Sequence, residues 1–95
     1  MNNFLTEFGF NETIKNEIIE NNSIQMYESL LLNEYECIKI LSFLRKIGIA
    51  CIKELLINKT DLFLNTADTV INKFKNADKF IIDKINKDYA YFDNL

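Results

Sequence analysis

Not one of the 95 residues is proline and only two are glycine, so the chain carries almost none of the residues that interrupt a helix. Apolar residues recur at spacings of three and four, the rhythm of a helix with one buried face. Alternation of the strand type nowhere lasts beyond a few residues. The expected fold class is therefore all-α: a compact bundle of about five helices in a single domain spanning 1–95, a length suited to one hydrophobic core.

The polar residues between apolar runs suggest where each helix starts. Asn11 is placed to cap a helix from Glu12 to about Glu20, with Ile14, Ile18 and Ile19 inward. Asn22, with Gln25 three residues on, marks a start for Ser23 to Leu32, burying Ile24, Tyr27, Leu30 and Leu31. Asn33 and Glu36 have the spacing of a variant capping box for a helix that runs to Ile47 through Cys37, Ile38, Leu41 and Leu44, with Ile40 as a further candidate. A short helix from Cys51 to Ile57 follows, then a polar corner over 58–65 that contains Leu62, Phe63 and Leu64. Thr66 caps a last stretch whose apolar stripe is Val70, Phe74, Ala77, Ile81 and Ile85. That stripe allows one long helix from Ala67 to about Tyr91, with a break near Asn76 to Asp78 as the alternative. The aromatic end, residues 89–92, is either pinned to the core or left as an exposed patch.

The two glycines are the strongest turn signals. Glycine takes a positive φ at no steric cost, so Gly48 stops one helix and lets the next restart within about three residues as a tight helical hairpin. Gly9 has similar surroundings. Phe4, Leu5, Phe8, Gly9 and Phe10 recur 39 residues later as Phe43, Leu44, Ile47, Gly48 and Ile49, which suggests a duplicated helix-turn-helix unit.

Composition excludes much of ordinary enzyme chemistry. The chain has no histidine, so the usual general base and every zinc site that needs imidazole are missing. No glycine-rich phosphate loop, nucleophile elbow or metal cluster is present, and no catalytic residue, cofactor or metal ligand is expected. Cys37 and Cys51 form no CxxC pair and read as small buried hydrophobes. The amino-terminal run has no basic segment followed by an apolar stretch, and nowhere do about 18 apolar residues follow one another, so a reducing cytoplasm and no membrane are expected.

Charge is divided unevenly along the chain. Residues 1–36 hold seven acids against Lys15 alone, a net charge of −6, whereas ten bases meet seven acids over 37–95, a net charge of +3. The total of −3 argues against a domain that coats nucleic acid through positive field alone.

The run Leu44-Arg45-Lys46-Ile47-Gly48-Ile49-Ala50-Cys51-Ile52-Lys53-Glu54-Leu55-Leu56, followed by Asn58-Lys59-Thr60, resembles the first helical hairpin in the C-terminal domain of the alpha subunit of RNA polymerase, a relative of helix-hairpin-helix folds. By position, that resemblance implies contacts to the minor groove and to phosphates through Lys39, Ser42 and Arg45, with Lys46 beside them. It also implies a second glycine-containing loop, and no glycine follows Thr60. Residues 4–10 and 58–64 resemble the helical repeats of mitochondrial transcription termination factors, with Ser23 and Thr60 standing where those repeats carry a proline.

Two functions follow as expectations. One is a small non-enzymatic adaptor or regulator, in transcription or other nucleic-acid machinery, that binds a macromolecule through Lys39, Ser42, Arg45 and Lys46. The other is an acidic inhibitor, immunity protein or antitoxin that masks a basic partner with Glu12, Glu17, Glu20, Glu28, Glu34 and Glu36. A protein partner is expected in both, nucleic acid only as a weak ligand, and the oligomeric state is open.

Overall fold

The computed structural model describes residues 3–95; Met1 and Asn2, the start of the expected domain, lie outside that range. Among the described residues the chain folds into seven α-helices and two 3₁₀ segments, with no strand. In order these are α1 (Phe4–Phe8), α2 (Ile14–Asn21), α3 (Ile24–Leu32), α4 (Glu34–Lys46), α5 (Ile52–Asn58), a 3₁₀ segment at Thr60–Leu64, α6 (Ala67–Lys73), α7 (Lys79–Lys87) and a C-terminal 3₁₀ segment at Tyr89–Asn94. The radius of gyration is 12.7 Å, close to the ~12.4 Å that a compact chain of this length should have.

The longest helix organises the rest. α4 turns Cys37, Ile40, Leu41 and Leu44 inward, and all four are fully buried. α6 packs along it, α2 packs on α5, and the 3₁₀ segment at Thr60–Leu64 wedges between α3, α4 and α5 with Leu62 and Phe63 buried. Phe74 joins the layers, meeting Phe43 edge-on at 5.9 Å between centroids and Phe92 at 5.7 Å. Phe92 thereby ties the C-terminal segment to the core.

Several helix starts differ from those expected, because side chains with the chemistry of local caps find distant partners. Asn11 accepts the Thr13 N–H at 3.1 Å in the turn before the helix, so Glu12 stays outside α2 and Thr13 occupies the cap position. Ser23, not Asn22, caps α3 by accepting the Met26 N–H at 3.0 Å. The Asn22 amide instead donates to the Ile57 carbonyl and to Thr60 Oγ1, at 3.1 and 2.9 Å. Asn33 and Glu36 form no capping box. Asn33 donates to the carbonyls of Phe63 and Asn65 at 2.9 and 3.1 Å, and Glu36 accepts the Ala67 N–H at 2.8 Å, holding the start of α6 against α4.

The count of five helices is too low. Phe4–Phe8 forms its own short helix, capped by Asn3, and the stretch after Thr66 is broken, the alternative left open by its sequence. Asp78 accepts the Ile81 N–H at 3.0 Å and starts α7 afresh, which shifts the buried position from Ile81 to Ile82. Ile24 and Ile38, both expected inside, are exposed, because the bundle approaches α3 and α4 from one side only.

Candidate interaction surfaces

Both glycines adopt positive φ, Gly9 at +124° and Gly48 at +94°, and no other described residue does. Each ends a helix with the same pair of hydrogen bonds. Phe10 N–H donates to the Leu5 carbonyl and Gly9 N–H to that of Thr6, both at 3.1 Å. Ile49 N–H donates to Leu44 at 3.0 Å and Gly48 N–H to Arg45 at 3.2 Å. These are Schellman closures, in which the left-handed residue satisfies carbonyls that a helix end leaves unpaired. After Gly48 the chain enters α5, and Asn86 of α7 holds the connection by donating to the Gly48 carbonyl at 2.9 Å and accepting the Ala50 N–H at 2.7 Å.

Arg45, assigned by position to a phosphate contact, is exposed but already engaged with a neighbouring element of the chain. Its guanidinium lies 3.7 Å from the centroid of the Phe8 ring, and Nη2 donates to the Phe8 carbonyl at 2.8 Å. Lys39 lies with Nζ 4.1 Å from the Tyr35 centroid and 3.6 Å from Glu36 Oε2. Tyr35 first and Glu36 after it raise the ammonium's affinity for its proton above the ordinary lysine range. Ser42 and Lys46 are exposed on the same outward side of α4. All four residues of the patch are exposed without a shared cleft, and Arg45 is in addition held against Phe8.

The six glutamates are divided as well. Glu17 pairs with Lys53 at 3.4 Å and accepts from Thr13 Oγ1, while Glu36 is held by the Ala67 N–H and Lys39. Glu12, Glu20, Glu28 and Glu34 are exposed and join no ion pair among the described residues. Glu28 and Glu34 flank a feature that sequence reasoning does not single out. Leu32 is 90% exposed at the end of α3, Tyr35 is 72% exposed on the first turn of α4, and Ile24 is 51% exposed. Ile24, Glu28 and Leu32 fall at steps of four on one side of α3, a spacing that places them in one row. The presence of a glutamate in that row is the available sign that it faces water.

A second surface lies beside α7. Phe80, 64% exposed, Asp83, Lys84, Lys87, Asp88 and Tyr91 line a cleft of about 360 Å³ between α7 and the C-terminal segment. Lys84 Nζ sits 5.1 Å from the Phe80 centroid and 5.8 Å from that of Tyr91. Asp88 accepts the Ala90 N–H at 3.1 Å, and neither Lys84 nor Lys87 joins an ion pair among the described residues.

Reactive groups are few. Burial pushes the Cys37 thiol up to about 12, and burial, with Glu54 adding to it, also raises Cys51, whose Sγ lies 3.4 Å from the Ile85 carbonyl oxygen. Both cysteines are unpaired. Among the described residues no group of three or more acids or thiols is placed to hold a metal ion, and no helix is long and apolar enough to cross a membrane.

The fold is thus an all-helical one whose exposed chemistry lies on helix faces rather than in a deep pocket. No protein-family model, curated protein or solved structure matches the chain.

Proposed function

We propose that this chain is a non-enzymatic interaction protein, and that its docking face is the corner between α3 and α4. There Leu32 stands beside Glu28 and Glu34, with Tyr35 next to it under the Lys39 ammonium, and the complementary partner is a basic protein segment with apolar side chains of its own. One observation carries the reading: Leu32 is 90% exposed between two glutamates that no described lysine or arginine neutralises. A single exposed leucine is ordinary, but Leu32, Tyr35 and Ile24 together leave apolar surface that folding alone does not need. This is the masking role of an inhibitor, immunity protein or antitoxin. Unpaired thiols at Cys37 and Cys51 suit a reducing cytoplasm.

Kinship with the RNA polymerase domain, and with it a role in transcription, is the second reading. It is favoured by the outward row of Lys39, Ser42 and Lys46 on the helix that ends at Gly48. It loses Arg45, whose guanidinium is committed to Phe8.

The two readings separate in one set of titrations. A helical peptide of leucine and lysine, labelled duplex DNA, single-stranded DNA and RNA are each added at low and at physiological ionic strength. Peptide binding that Leu32→Asp abolishes and Lys46→Glu leaves intact supports the α3–α4 face. Nucleic-acid binding that Lys46→Glu abolishes, with no peptide binding, overturns it in favour of the second reading.

A further inference from the structure

Residues of α1, α2 and α3 enclose a cleft of about 250 Å³ that the docking face does not use. Ile14, Tyr27 and Leu31 supply apolar walls, and α1 contributes Asn3 and Thr6. Both of these polar residues are engaged locally. Asn3 Oδ1 accepts the Leu5 N–H at 2.9 Å, and its Nδ2 donates to the Tyr27 hydroxyl at 2.9 Å. Thr6 Oγ1 donates to the Asn3 carbonyl at 2.9 Å and accepts the Asn3 N–H at 3.1 Å. A cavity of about 150 Å³ already holds benzene, so this volume admits a branched four-carbon side chain together with a small polar head.

Three polar groups of the lining remain uncommitted. A phenol has one proton to donate, and no described residue accepts that of Tyr27, a side chain only 5% exposed. Lys15, on the first turn of α2 with Nζ 5.8 Å from the Tyr27 centroid, and Glu12, just before that helix, are the two charged residues of the lining. Neither joins an ion pair among the described residues, with the other or with any third charge. A ligand carboxylate would take the Tyr27 proton and face the Lys15 ammonium. Glu12 opposes a simple anion, however, and a simple cation would be opposed by Lys15. Both charges are satisfied together when one ligand atom carries a carboxylate and an ammonium.

We infer that this cleft binds an apolar α-amino acid of about leucine's size as its zwitterion. The carboxylate receives the Tyr27 hydroxyl and the Lys15 ammonium, the ammonium faces Glu12, and the hydrocarbon chain lies against Ile14 and Leu31. The site goes beyond the reading of the α3–α4 corner and does not depend on it, because Tyr27 and Leu31 form a different row of α3 from Ile24, Glu28 and Leu32.

Titration of the full chain with four small molecules, followed by calorimetry, tests this directly. The probes are L-leucine, isocaproate, which lacks the amine, isoamylamine, which lacks the carboxylate, and glycine, which lacks the side chain. Leucine binds saturably below about 10 mM, and each of the other three binds about fivefold more weakly or worse. Lys15→Met and Glu12→Gln, both at exposed positions, each weaken leucine binding by about fivefold while helical circular dichroism stays unchanged. The pattern across probes is specific: Glu12→Gln closes the gap between leucine and isocaproate, and Lys15→Met closes that between leucine and isoamylamine. Absence of saturable leucine binding overturns the inference. So does isocaproate or isoamylamine binding to the parent chain as tightly as leucine, since only one charge is then read, and so does leucine binding that both variants leave intact.

Discussion

Arg45 lies over Phe8, its guanidinium 3.7 Å from the ring centroid, and donates a 2.8 Å hydrogen bond to the Phe8 carbonyl. The contact joins the two glycine turns of the protein, because Phe8 ends α1 just before Gly9 and Arg45 belongs to the last turn of α4 before Gly48. Stacking satisfies the apolar flank of the planar cation while the hydrogen bond satisfies an end-of-helix carbonyl. Lysine would keep the charge and lose the plane.

Removal of that contact is expected to loosen the amino-terminal turn. Arg45→Ala should cost about 1–2 kcal/mol of stability, from a cation–π contact near the surface and a charged hydrogen bond, with Arg45→Lys intermediate. Urea unfolding followed by circular dichroism measures both. A change within experimental error for Arg45→Ala would show that the side chain is free for another role.

The glycine turns should resist substitution for a backbone reason and not for lack of room. At Gly48 an added Cβ would find its nearest atom, Ile82 Cγ2, at 3.9 Å, which is ordinary contact. The φ of +94° is the obstacle. Gly48→Ala is expected to destabilise by about 1–2 kcal/mol, and Gly9→Ala, with φ of +124°, by a similar amount. Thermal unfolding of the two single variants checks this, and a neutral Gly48→Ala would mean that the turn adopts another conformation.

Thr60 is 1% exposed and, apart from the Tyr27 hydroxyl, brings the buried set of described residues its polar side-chain chemistry. Its hydroxyl donates to the Leu56 carbonyl at 2.6 Å and accepts from Asn22 at 2.9 Å, so it connects α2 to the end of α5. Thr60→Val keeps the shape and removes both bonds. The expected cost is about 1–3 kcal/mol, because the Asn22 amide and the carbonyl lose a partner in a partly buried place. Thr60→Ser should recover most of it, and denaturant midpoints of the two variants provide the comparison.

Cys37 gives a pH prediction with a definite sign. Burial favours the neutral thiol and raises its folded value to about 12 from the reference value of 9.0. The unfolded chain therefore ionises first. The stability contributed by Cys37 is complete below about pH 9 and is lost as pH climbs towards about 12. The stability advantage of the parent chain over Cys37→Ala should shrink across that window, and at about pH 8, below the thiol's reference value, Cys37 of a folded Cys51→Ser chain should resist maleimide until denaturant is added. Rapid labelling of Cys37 in the folded chain would contradict its burial.

The apolar rhythm and the absent prolines are enough to read an all-helical chain, because helix periodicity is a local property. The left-handed positions are legible for the same reason: at Gly9 and Gly48 glycine removes a steric barrier that acts within one residue. Cys37, Leu41, Leu44, Val70, Phe74 and Ile85 face inward both by their spacing and in the structure. Local caps are less legible. Asn22, Asn33 and Glu36 have the right chemistry to start a helix, and only packing sends their amides and carboxylate to Thr60, Phe63 and Ala67.

Tertiary structure alone decided which surface remained open. Sequence places Ile24, Ile38 and Leu32 among apolar residues of two ordinary amphipathic helices, and it places Arg45 among bases fit for a polyanion. Burial depends on which side neighbouring helices approach, which is a property of contacts between residues far apart in the chain. Those contacts left Leu32 in water between two glutamates and laid Arg45 on Phe8. The helices were written in the order of residues along the chain, but the exposed faces were settled by the helices that happen to pack beside them.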